Sequence, residues 1–293
     1  MDWPSDFAEA LRPPTPLSTR TSLGVGGAAD WFFEPADAAL AGRIFAFAHA
    51  RGVPIRVLGG GYNLLVADGP LEGAVLSTAK LREERVLPDR VELGAGVSFA
   101  RVVARAAELS IPVISGCPGI PGSIGGVVSM NAGGRFGSVG DAVLEVSGFH
   151  ADGRAFRRVV EPGDFGYRRT VFAGRLVTGA ALRRDPTLDP AAERRRFAEA
   201  SAWKRTTQPL TAASAGCFFK NPAAPPSAGA RIDRAGLKGL RVGGAAVSTV
   251  HANFLVNEGG ATCADLLALV ERVRERVRET DGVDLELEVA VWS

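Results

Sequence analysis

Apolar residues in the first third of the chain recur with a spacing that alternates between that of strands and that of helices. Residues 31–34 and 53–58 predict short strands, and residues 36–51 carry Leu40, Ile44 and Phe47 at helical spacing. Ser98 predicts the N-cap of a helix that runs to about residue 109. Further strands are predicted at residues 74–77, 90–93 and 175–182.

The second half of the chain adds a hairpin, two helices and a closing strand. Strands at 143–150 and 154–160 are joined by Asp152-Gly153, which predicts a type I′ turn. Residues 190–204 predict an amphipathic helix, and Thr262 with Asp265 predicts a capping box for a helix through residue 279. Apolar and acidic residues alternate over residues 283–291, as in a strand. The predicted class is α+β, with a division near residue 185.

Two glycine-rich segments stand out, at residues 59–63 and 119–126. The wider region 115–140 holds too much glycine for a helix or a central strand and is too apolar for a solvated linker. Such loops let backbone N–H groups approach an anion, although a purely structural turn explains the first one equally well. Together they suit the pyrophosphate of a dinucleotide, which makes FAD held without a Rossmann fold a reasonable inference.

Two familiar nucleotide motifs are excluded by context. Residues 24–29 match the bare GxGxxA pattern, but a polar segment precedes them and a predicted strand follows, whereas a Rossmann loop needs a strand before and a helix after. The loop at 59–63 lacks the GK[ST] of a P-loop, so Mg-NTP chemistry is not implied.

Composition narrows the function further. The formal net charge is +2, from 34 basic and 32 acidic residues that are interspersed, so no nucleic-acid or membrane surface is indicated. No apolar h-region opens the chain, and no apolar run reaches the roughly 18–20 residues of a membrane span, which predicts a soluble cytoplasmic protein. Three cysteines without a CxxC and three isolated histidines predict reduced thiols and no metal site. Cys217, beside Lys220 and Asn221, is read as either core packing or part of a site.

The motifs, taken in order, resemble those of the UDP-N-acetylenolpyruvoylglucosamine reductase (MurB) family. The resemblance extends from about residue 17 to residue 292. Its matching stretches are residues 21–27, 58–65 (LGGGYNLL), 119–126 (GIPGSIGG), 130–133, 165–168, 207–209, 214–222, 235–239, 247–248 and 251–254.

This resemblance implies a vanillyl-alcohol-oxidase/PCMH-type FAD-binding module at residues 18–185, followed by a smaller α+β substrate-binding domain at 186–293 whose last strand packs back near the FAD module. It also implies non-covalent FAD, NADPH as electron donor, a UDP-sugar substrate and a monomer. Carried over by motif, Arg168 stabilises the enolate-like carboxylate, Cys217 donates a proton to the α carbon, and Glu288 assists.

The remaining site residues implied by the resemblance fall into two groups. The substrate contacts are Tyr167, Lys220 and Asn221. The cofactor contacts are Gly59, Gly60, Gly61, Tyr62, Asn63, Gly119, Gly122, Ser123, Gly125, Gly126 and Asn131.

Four departures from the family pattern matter. Position 217 is more often serine, but an ordinary thiol, with a pKa near 8.5, is a neutral acid at pH 7 and can fill the role. Tyr62 replaces a serine in the first glycine loop, and Ser115-Gly116-Cys117-Pro118 replaces a more apolar run. The short link from Arg168 to Arg175 resembles the subfamily without the tyrosine-bearing loop that closes over substrate.

Two alternatives remain at this stage. A flavin oxidase or dehydrogenase built on the same module would use the glycine loops equally well, but would not need residues 214–222 or 235–239. A catalytically silent flavin-binding protein is disfavoured, because Arg168, Cys217 and Glu288 all keep ionisable or protic side chains.

Overall fold

The computed structural model describes residues 2–293. Its helices are α1 Ala38–Ala50, α2 Phe99–Ala104, α3 Ala106–Leu109, α4 Ile124–Ser129, α5 Pro190–Thr207, α6 Ala228–Arg234 and α7 Cys263–Asp281. Short 3₁₀ turns lie at Ser5–Phe7, Leu17–Thr19, Ile114–Gly116 and Val139–Asp141.

The strands of the described chain are mostly short. They are β1 Leu11–Arg12, β2 Ala29–Phe33, β3 Ile55–Leu58, β4 Leu64–Val66, β5 Leu71–Ser77, β6 Glu84–Val86, β7 Arg90–Gly94, β8 Gly133–Gly134, β9 Gly137–Ser138, β10 Val143–Phe149, β11 Ala155–Val159, β12 Phe165–Gly166, β13 Arg169–Thr170, β14 Leu176–Arg183, β15 Ala213–Cys217, β16 Arg241–Val242, β17 Ala245–Val247, β18 Phe254–Asn257 and β19 Ala290–Trp292.

The chain forms two compact units that interleave along the sequence. Unit 1 contains residues 1–14, 30–60 and 72–203, and unit 2 contains residues 15–29, 61–71 and 204–293. The predicted functional domains, 18–185 and 186–293, are a different kind of division and stay a prediction.

Unit 1 contains two sheets. One has the order β1-β2-β5-β3, with β3 and β5 parallel, and the other has the order β11-β10-β14-β7-β6. The apolar faces of α1 and of α2 to α4 supply buried side chains to two core clusters of this unit. Asp37 caps α1 by accepting a hydrogen bond from the Leu40 N–H at 2.8 Å, and Ser98 caps α2, as predicted.

Unit 2 is built around a sheet of order β15-β18-β17-β16 and the helix α7. Leu266, Leu269 and Val273 of α7 are fully buried. The capping box of Thr262 and Asp265 is present, and Gly282, with a φ of 66°, ends the helix in the left-handed conformation. The closing strand β19 pairs in parallel with β4, so the end of the chain joins a segment from its first quarter.

Three sequence predictions are wrong in detail. The Asp152-Gly153 hairpin does not have a type I′ turn, because only Gly153 has a positive φ. His150 pairs with Arg154 around a three-residue loop, in which the Gly153 N–H donates to the His150 carbonyl. A three-residue loop that ends in a left-handed glycine is another common hairpin connection, so the two strands still pair.

The other two errors concern the glycine-rich region and the chain end. Region 115–140 does contain a helix, α4, because Gly125 lets it approach Ala95, whose Cβ would lie 2.8 Å from a Cβ at position 125. The predicted closing strand 283–291 is regular only at Ala290–Trp292, although Leu285 and Val289 are buried as the alternation indicates.

Candidate active site

The two glycine loops meet within unit 1. A Cβ added at Gly59 would lie 2.8 Å from Ser123 Oγ and 3.5 Å from Gly126 Cα. Only a residue without a side chain at position 59 therefore lets the end of β3 reach the start of α4. The sequence predicted each loop, and the structure brings Gly59 together with Ser123 and Gly126.

Ser123 is the residue that makes this junction a candidate for a bound polar group. Its hydroxyl oxygen is buried and has no hydrogen-bond partner among the described residues. A buried unpaired hydroxyl costs about 1–3 kcal/mol unless a ligand or water satisfies it. The loops therefore fit the pyrophosphate of FAD, because Ser123 Oγ can donate to a phosphate oxygen and the glycines expose backbone N–H groups.

Two glycines of the second loop have backbone conformations that other residues rarely adopt. Gly119 has a φ of 64° and Gly122 a φ of 124°. Gly125 of the same loop is buried against Ala95, whereas Gly60 of the first loop is exposed. Backbone conformation explains Gly119 and Gly122, and close packing explains Gly125, whether or not each contacts a ligand.

Arg168 sits at the tip of the two-stranded hairpin β12–β13. The turn consists of Tyr167 and Arg168, and Arg168 adopts a φ of 51°, which is uncommon outside glycine. Its guanidinium lies 5.3 Å from the centre of the Tyr167 ring and donates to the carbonyl oxygens of Asn131 (3.4 Å) and Gly133 (3.0 Å). Tyr167 itself is 56% exposed. Strained backbone of this kind concentrates at functional sites.

The Asn131 side chain bonds to the start of the same hairpin. Its amide nitrogen donates to the Gly166 carbonyl at 2.9 Å, and its amide oxygen accepts from the Gly140 N–H at 3.0 Å. The residue is 7% exposed. Both polar atoms of the Asn131 side chain, which was predicted to contact the cofactor, therefore bond to the protein backbone.

The Ser115-Pro118 departure is a buried structural contact in unit 1. Ser115 is 1% exposed and its hydroxyl donates to the Glu193 carboxylate of α5, while Cys117 is buried. Arg196, one turn further along α5, donates to the Phe136 carbonyl at 2.6 Å. These two bonds hold the glycine-rich region to α5, a contact that the sequence did not reveal.

The continuation of the first glycine loop belongs to unit 2. A Cβ at Gly61 would lie 1.9 Å from the Arg20 carbonyl oxygen, and the Gly61 carbonyl accepts from the Ser22 N–H at 3.0 Å. Ser22 Oγ is a second buried hydroxyl without a partner among residues 2–293. Tyr62 is 44% exposed. Ser22 was not among the predicted cofactor residues, although it lies in a matching motif.

Cys217 ends strand β15, beside a bulge in its pairing with β18. The register shifts between Ser214 and Cys217, and Gly216 within the bulge has a φ of 80°. Cys217 is only partly buried, whereas Cys117 and Cys263 are buried. Burial, with the nearby Asp68 charge, raises the pKa of the Cys263 thiol, so Cys263 is a poor acid or nucleophile.

Glu288 lies on the segment that pairs with the residues just after Cys217. Its backbone N–H donates to the Phe218 carbonyl at 2.8 Å, and its carbonyl accepts from the Asn63 amide at 3.1 Å. Asn63, predicted to contact the cofactor, thus fixes the segment that carries Glu288. Three motifs that are far apart in sequence meet in unit 2 around Phe218.

Lys220 and Asn221 follow on the same segment. The Lys220 backbone N–H donates to the Glu286 carbonyl at 2.8 Å, and its ammonium lies 3.3 Å from the Glu286 carboxylate. The Asn221 side chain accepts from the Ala228 N–H at 3.1 Å, at the start of α6. Lys220 is part-exposed, so its charge is accessible to an anionic ligand.

Asn253 is the residue near Cys217 that sequence reasoning missed. Its amide donates to the Phe219 carbonyl at 2.8 Å and accepts from the Phe219 N–H at 3.0 Å, and its own carbonyl accepts from the Phe218 N–H. It is 2% exposed. The side chain reproduces the hydrogen bonds of a neighbouring strand. The available signal was its place in the matching stretch 251–254.

His251 supports Asn253 in turn. Its Nδ1 accepts from the Asn253 N–H at 3.2 Å, which requires the neutral ring. Burial, together with the positive charge of Lys238, lowers the pKa of His251 from its ordinary value of 6.5. No group of His, Cys, Asp and Glu among the described residues could hold a metal ion. No helix within residues 2–293 is long and apolar enough to cross a membrane.

The chain is similar to known proteins over nearly its whole length. Residues 29–158 match the FAD binding domain family, and residues 208–292 match the family described as UDP-N-acetylenolpyruvoylglucosamine reductase, C-terminal domain. These matches confirm the predicted FAD module followed by an α+β domain.

Relatives and a solved structure agree with the family matches. The chain is 42% identical to UDP-N-acetylenolpyruvoylglucosamine reductase of Geobacter metallireducens over 94% of this chain and 92% of that protein, and 40% identical to that of Desulfosudis oleivorans over 97% and 95%. The crystal structure of UDP-N-acetylenolpyruvylglucosamine reductase from Thermus caldophilus superposes with a TM-score of 0.82 at 38% identity, covering 97% of this chain and 100% of that one.

Proposed function

The chain belongs to the UDP-N-acetylenolpyruvoylglucosamine reductase family, and on this premise we propose that it reduces UDP-N-acetylglucosamine enolpyruvate to UDP-N-acetylmuramate, with FAD as cofactor and NADPH as electron donor. The reaction is a step in peptidoglycan precursor synthesis. The observation that carries the proposal is the junction of Gly59 with Ser123 and Gly126. The buried Ser123 hydroxyl has no hydrogen-bond partner there among the described residues, so a bound phosphate can accept from it.

FAD is held non-covalently in this proposal. Ser123 Oγ and the N–H groups of Gly59, Gly60 and Gly126 would hold its pyrophosphate. Gly61, Gly119, Gly122 and Gly125 let the backbone approach, while Tyr62 and Asn63 flank the first loop. FAD, when bound, supplies the hydride that adds to the methylene carbon of the enolpyruvyl group, with electrons that come from NADPH.

The side chains of the protein handle the carboxylate and the proton. The guanidinium of Arg168 binds the enolpyruvyl carboxylate through two parallel hydrogen bonds and stabilises the negative charge that develops when hydride adds. Cys217 Sγ gives its proton to the α carbon, and solvent later reprotonates the thiolate. Glu288 assists this step, and Tyr167, Lys220 and Asn221 bind the rest of the substrate.

The state of the protein in the cell follows from its substrates. UDP-sugars and NADPH are cytoplasmic metabolites, so we place the enzyme in the cytoplasm. We also propose that it is a monomer, which light scattering coupled to gel filtration tests directly.

Reconstitution with FAD tests the activity. The protein should acquire flavin absorption bands, and without oxygen it should consume NADPH beyond the one equivalent that reduces the flavin only when UDP-N-acetylglucosamine enolpyruvate is present. The product should be heavier than the substrate by two hydrogen atoms. Denaturation should release all of the FAD into the supernatant. A protein that binds no FAD under these conditions, or that consumes NADPH at the same rate without substrate, would refute the proposal.

A further inference from the structure

Asn131 is the predicted cofactor residue whose contacts fit that role least. Its side chain donates to Gly166 O at 2.9 Å and accepts from Gly140 N at 3.0 Å, and the residue is 7% exposed. Neither partner belongs to the Gly59–Ser123 junction. The amide is instead committed to two backbone groups, one of which directly precedes the turn that carries Arg168.

The turn needs such support because its conformation is unfavourable. Arg168 adopts a φ of 51°, which costs a residue with a Cβ about 1–2 kcal/mol. The strands on either side, β12 and β13, have two residues each, so their ladder contributes few hydrogen bonds. The bond from Asn131 to Gly166 fixes the residue at which the turn begins.

Asn131 also fixes the other end of the Arg168 side chain. Its backbone carbonyl accepts from Arg168 Nη1 at 3.4 Å, and the backbone carbonyl of Gly133, two residues later, accepts from Nη2 at 3.0 Å. The guanidinium is therefore oriented by the same short segment that anchors the turn. Asn131 is itself left-handed, with a φ of 49°, a conformation that asparagine tolerates better than most residues.

Gly140 is shaped to allow this arrangement. A Cβ at position 140 would lie 2.8 Å from Asn131 Oδ1 and 2.7 Å from Cγ of Phe165, the first residue of β12. The absent side chain lets both Asn131 and the hairpin pack against the same backbone. Gly140, Asn131 and Arg168 therefore form one connected unit.

From these contacts we infer that Asn131 is a positioning residue for Arg168, and not a contact to FAD. The inference rests on the proposed function, in which Arg168 binds the enolpyruvyl carboxylate. Asn131 holds the backbone and the guanidinium of Arg168 in place before substrate arrives, so that no ordering of this long side chain is required during the reaction.

Asn131→Gly is the sharpest test, because glycine keeps the left-handed backbone and removes only the amide. FAD affinity should change by less than about 2-fold, as should the rate at which NADPH reduces the flavin. Reoxidation of reduced flavin by substrate should slow by about 10- to 100-fold, the scale expected for a misplaced reacting group. Asn131→Asp, which keeps the acceptor for Gly140 but loses the donor to Gly166, should behave in the same way and replaces Asn131→Gly if that variant does not fold.

Ser110→Gly is the matched control. Ser110 is another left-handed residue of unit 1, with a φ of 55°, and it is outside the proposed machinery. Its replacement should leave both half-reactions unchanged. This separates the loss of the Asn131 amide from a general effect of placing glycine at a left-handed position.

A double-mutant cycle decides the outcome. In the Arg168→Ala background, Asn131→Gly should slow reoxidation no further, because the group that it positions is gone. Additive effects, or a loss of FAD affinity of 10-fold or more in Asn131→Gly alone, would overturn the inference while leaving the proposed function intact. Should Arg168→Ala alone reoxidise at the parent rate, the role of Arg168 in the proposed function fails, and the inference fails with it.

Discussion

The hairpin that carries Arg168 and the strand that carries Cys217 are supported in opposite ways. Arg168 stands on a two-residue turn between two-residue strands, and side-chain bonds to backbone hold it there. Cys217 ends a strand of a four-stranded sheet, and the residues after it pair with the chain segment near Glu288. The long side chain of Arg168 is thus held by local hydrogen bonds, whereas the short side chain of Cys217 is positioned by the strand that carries it.

An asparagine amide serves both regions, with different consequences. Asn131 bonds to the short hairpin β12–β13 of unit 1. Asn253 is buried in unit 2, and its amide forms the two backbone hydrogen bonds that a strand partner would otherwise give to Phe219. Loss of the Asn131 amide should lower activity more than stability, because its bonds support a short hairpin. Loss of the Asn253 amide should mainly lower the free energy of unfolding, because it leaves buried backbone groups unpaired.

The largest expected effect comes from Cys217→Ala. Removal of the proton donor should slow reoxidation of reduced flavin by substrate by about 10²–10⁴-fold, while flavin reduction by NADPH barely changes. Cys217→Ser should support turnover, since a hydroxyl fills the same geometry. Stopped-flow absorbance of the flavin measures both steps, and an alanine variant at the parent rate would leave Cys217 as a packing residue.

Alkylation provides an independent check of the same residue. Cys217 is the partly exposed cysteine, while Cys117 and Cys263 are buried. Iodoacetamide should therefore inactivate the parent enzyme and spare Cys217→Ser. Equal inactivation of both proteins would mean that another group reacts.

Arg168→Lys should be the next most damaging change. Lysine presents a single nitrogen, so it cannot form two parallel hydrogen bonds to a carboxylate, and it lacks the planar fork through which Arg168 reaches Asn131 O and Gly133 O with two different nitrogens. We expect reoxidation by substrate to slow by about 10²–10³-fold, as when one preorganised donor is lost. Reduction by NADPH should stay intact, and equal damage to both steps would show that Arg168 instead maintains the fold.

Asn253→Asp should lower the free energy of unfolding by about 1–3 kcal/mol, because a carboxylate would face the Phe219 carbonyl in place of a donor. Asn257→Asp is the matched control: its amide donates to Leu23 O at 2.9 Å, but it is less buried, and its side chain bonds to Leu23, Gly259 and Ala261 and not to Phe219. Urea unfolding should show the larger loss for Asn253→Asp. A smaller loss than in the control would contradict the comparison of the two regions.

The smallest effect concerns pH. The pKa of His251 is lowered by folding, so the unfolded chain takes up a proton at a higher pH than the folded chain. Stability is therefore unaffected above the ordinary pKa of 6.5 and falls as the pH drops below it. Urea unfolding between pH 7.5 and 5.5 should show this slope, and His251→Asn, which keeps an acceptor for the Asn253 N–H, should reduce it.

Sequence reasoning succeeded where a short pattern determines its own structure. The capping box at Thr262, the cap at Ser98, the helix α1 and the two glycine loops are all local features, and the motif order identified the family. The failures arose where the decisive partner is distant in sequence. Nothing near Asn253 reveals that its amide reaches a residue 34 positions away.

The glycine-rich region shows the same limit. Gly125 looks like a helix breaker in sequence, but it permits a helix because Ala95 lies against it. The prediction of the turn type at Asp152-Gly153 was wrong for a smaller reason. One extra loop residue changes the turn type, although the two strands still pair. In both cases the backbone was decided by a contact or a register that the local pattern does not contain.

Anaerobic reoxidation in D₂O tests the central claim most directly. Enzyme reduced with one equivalent of NADPH is mixed with UDP-N-acetylglucosamine enolpyruvate without oxygen, and the flavin spectrum and the product are examined. The account predicts that the oxidised flavin bands return at once and that the product carries deuterium at the α carbon, delivered from an exchangeable thiol. Flavin that stays reduced until oxygen is admitted would contradict it and identify an oxidase.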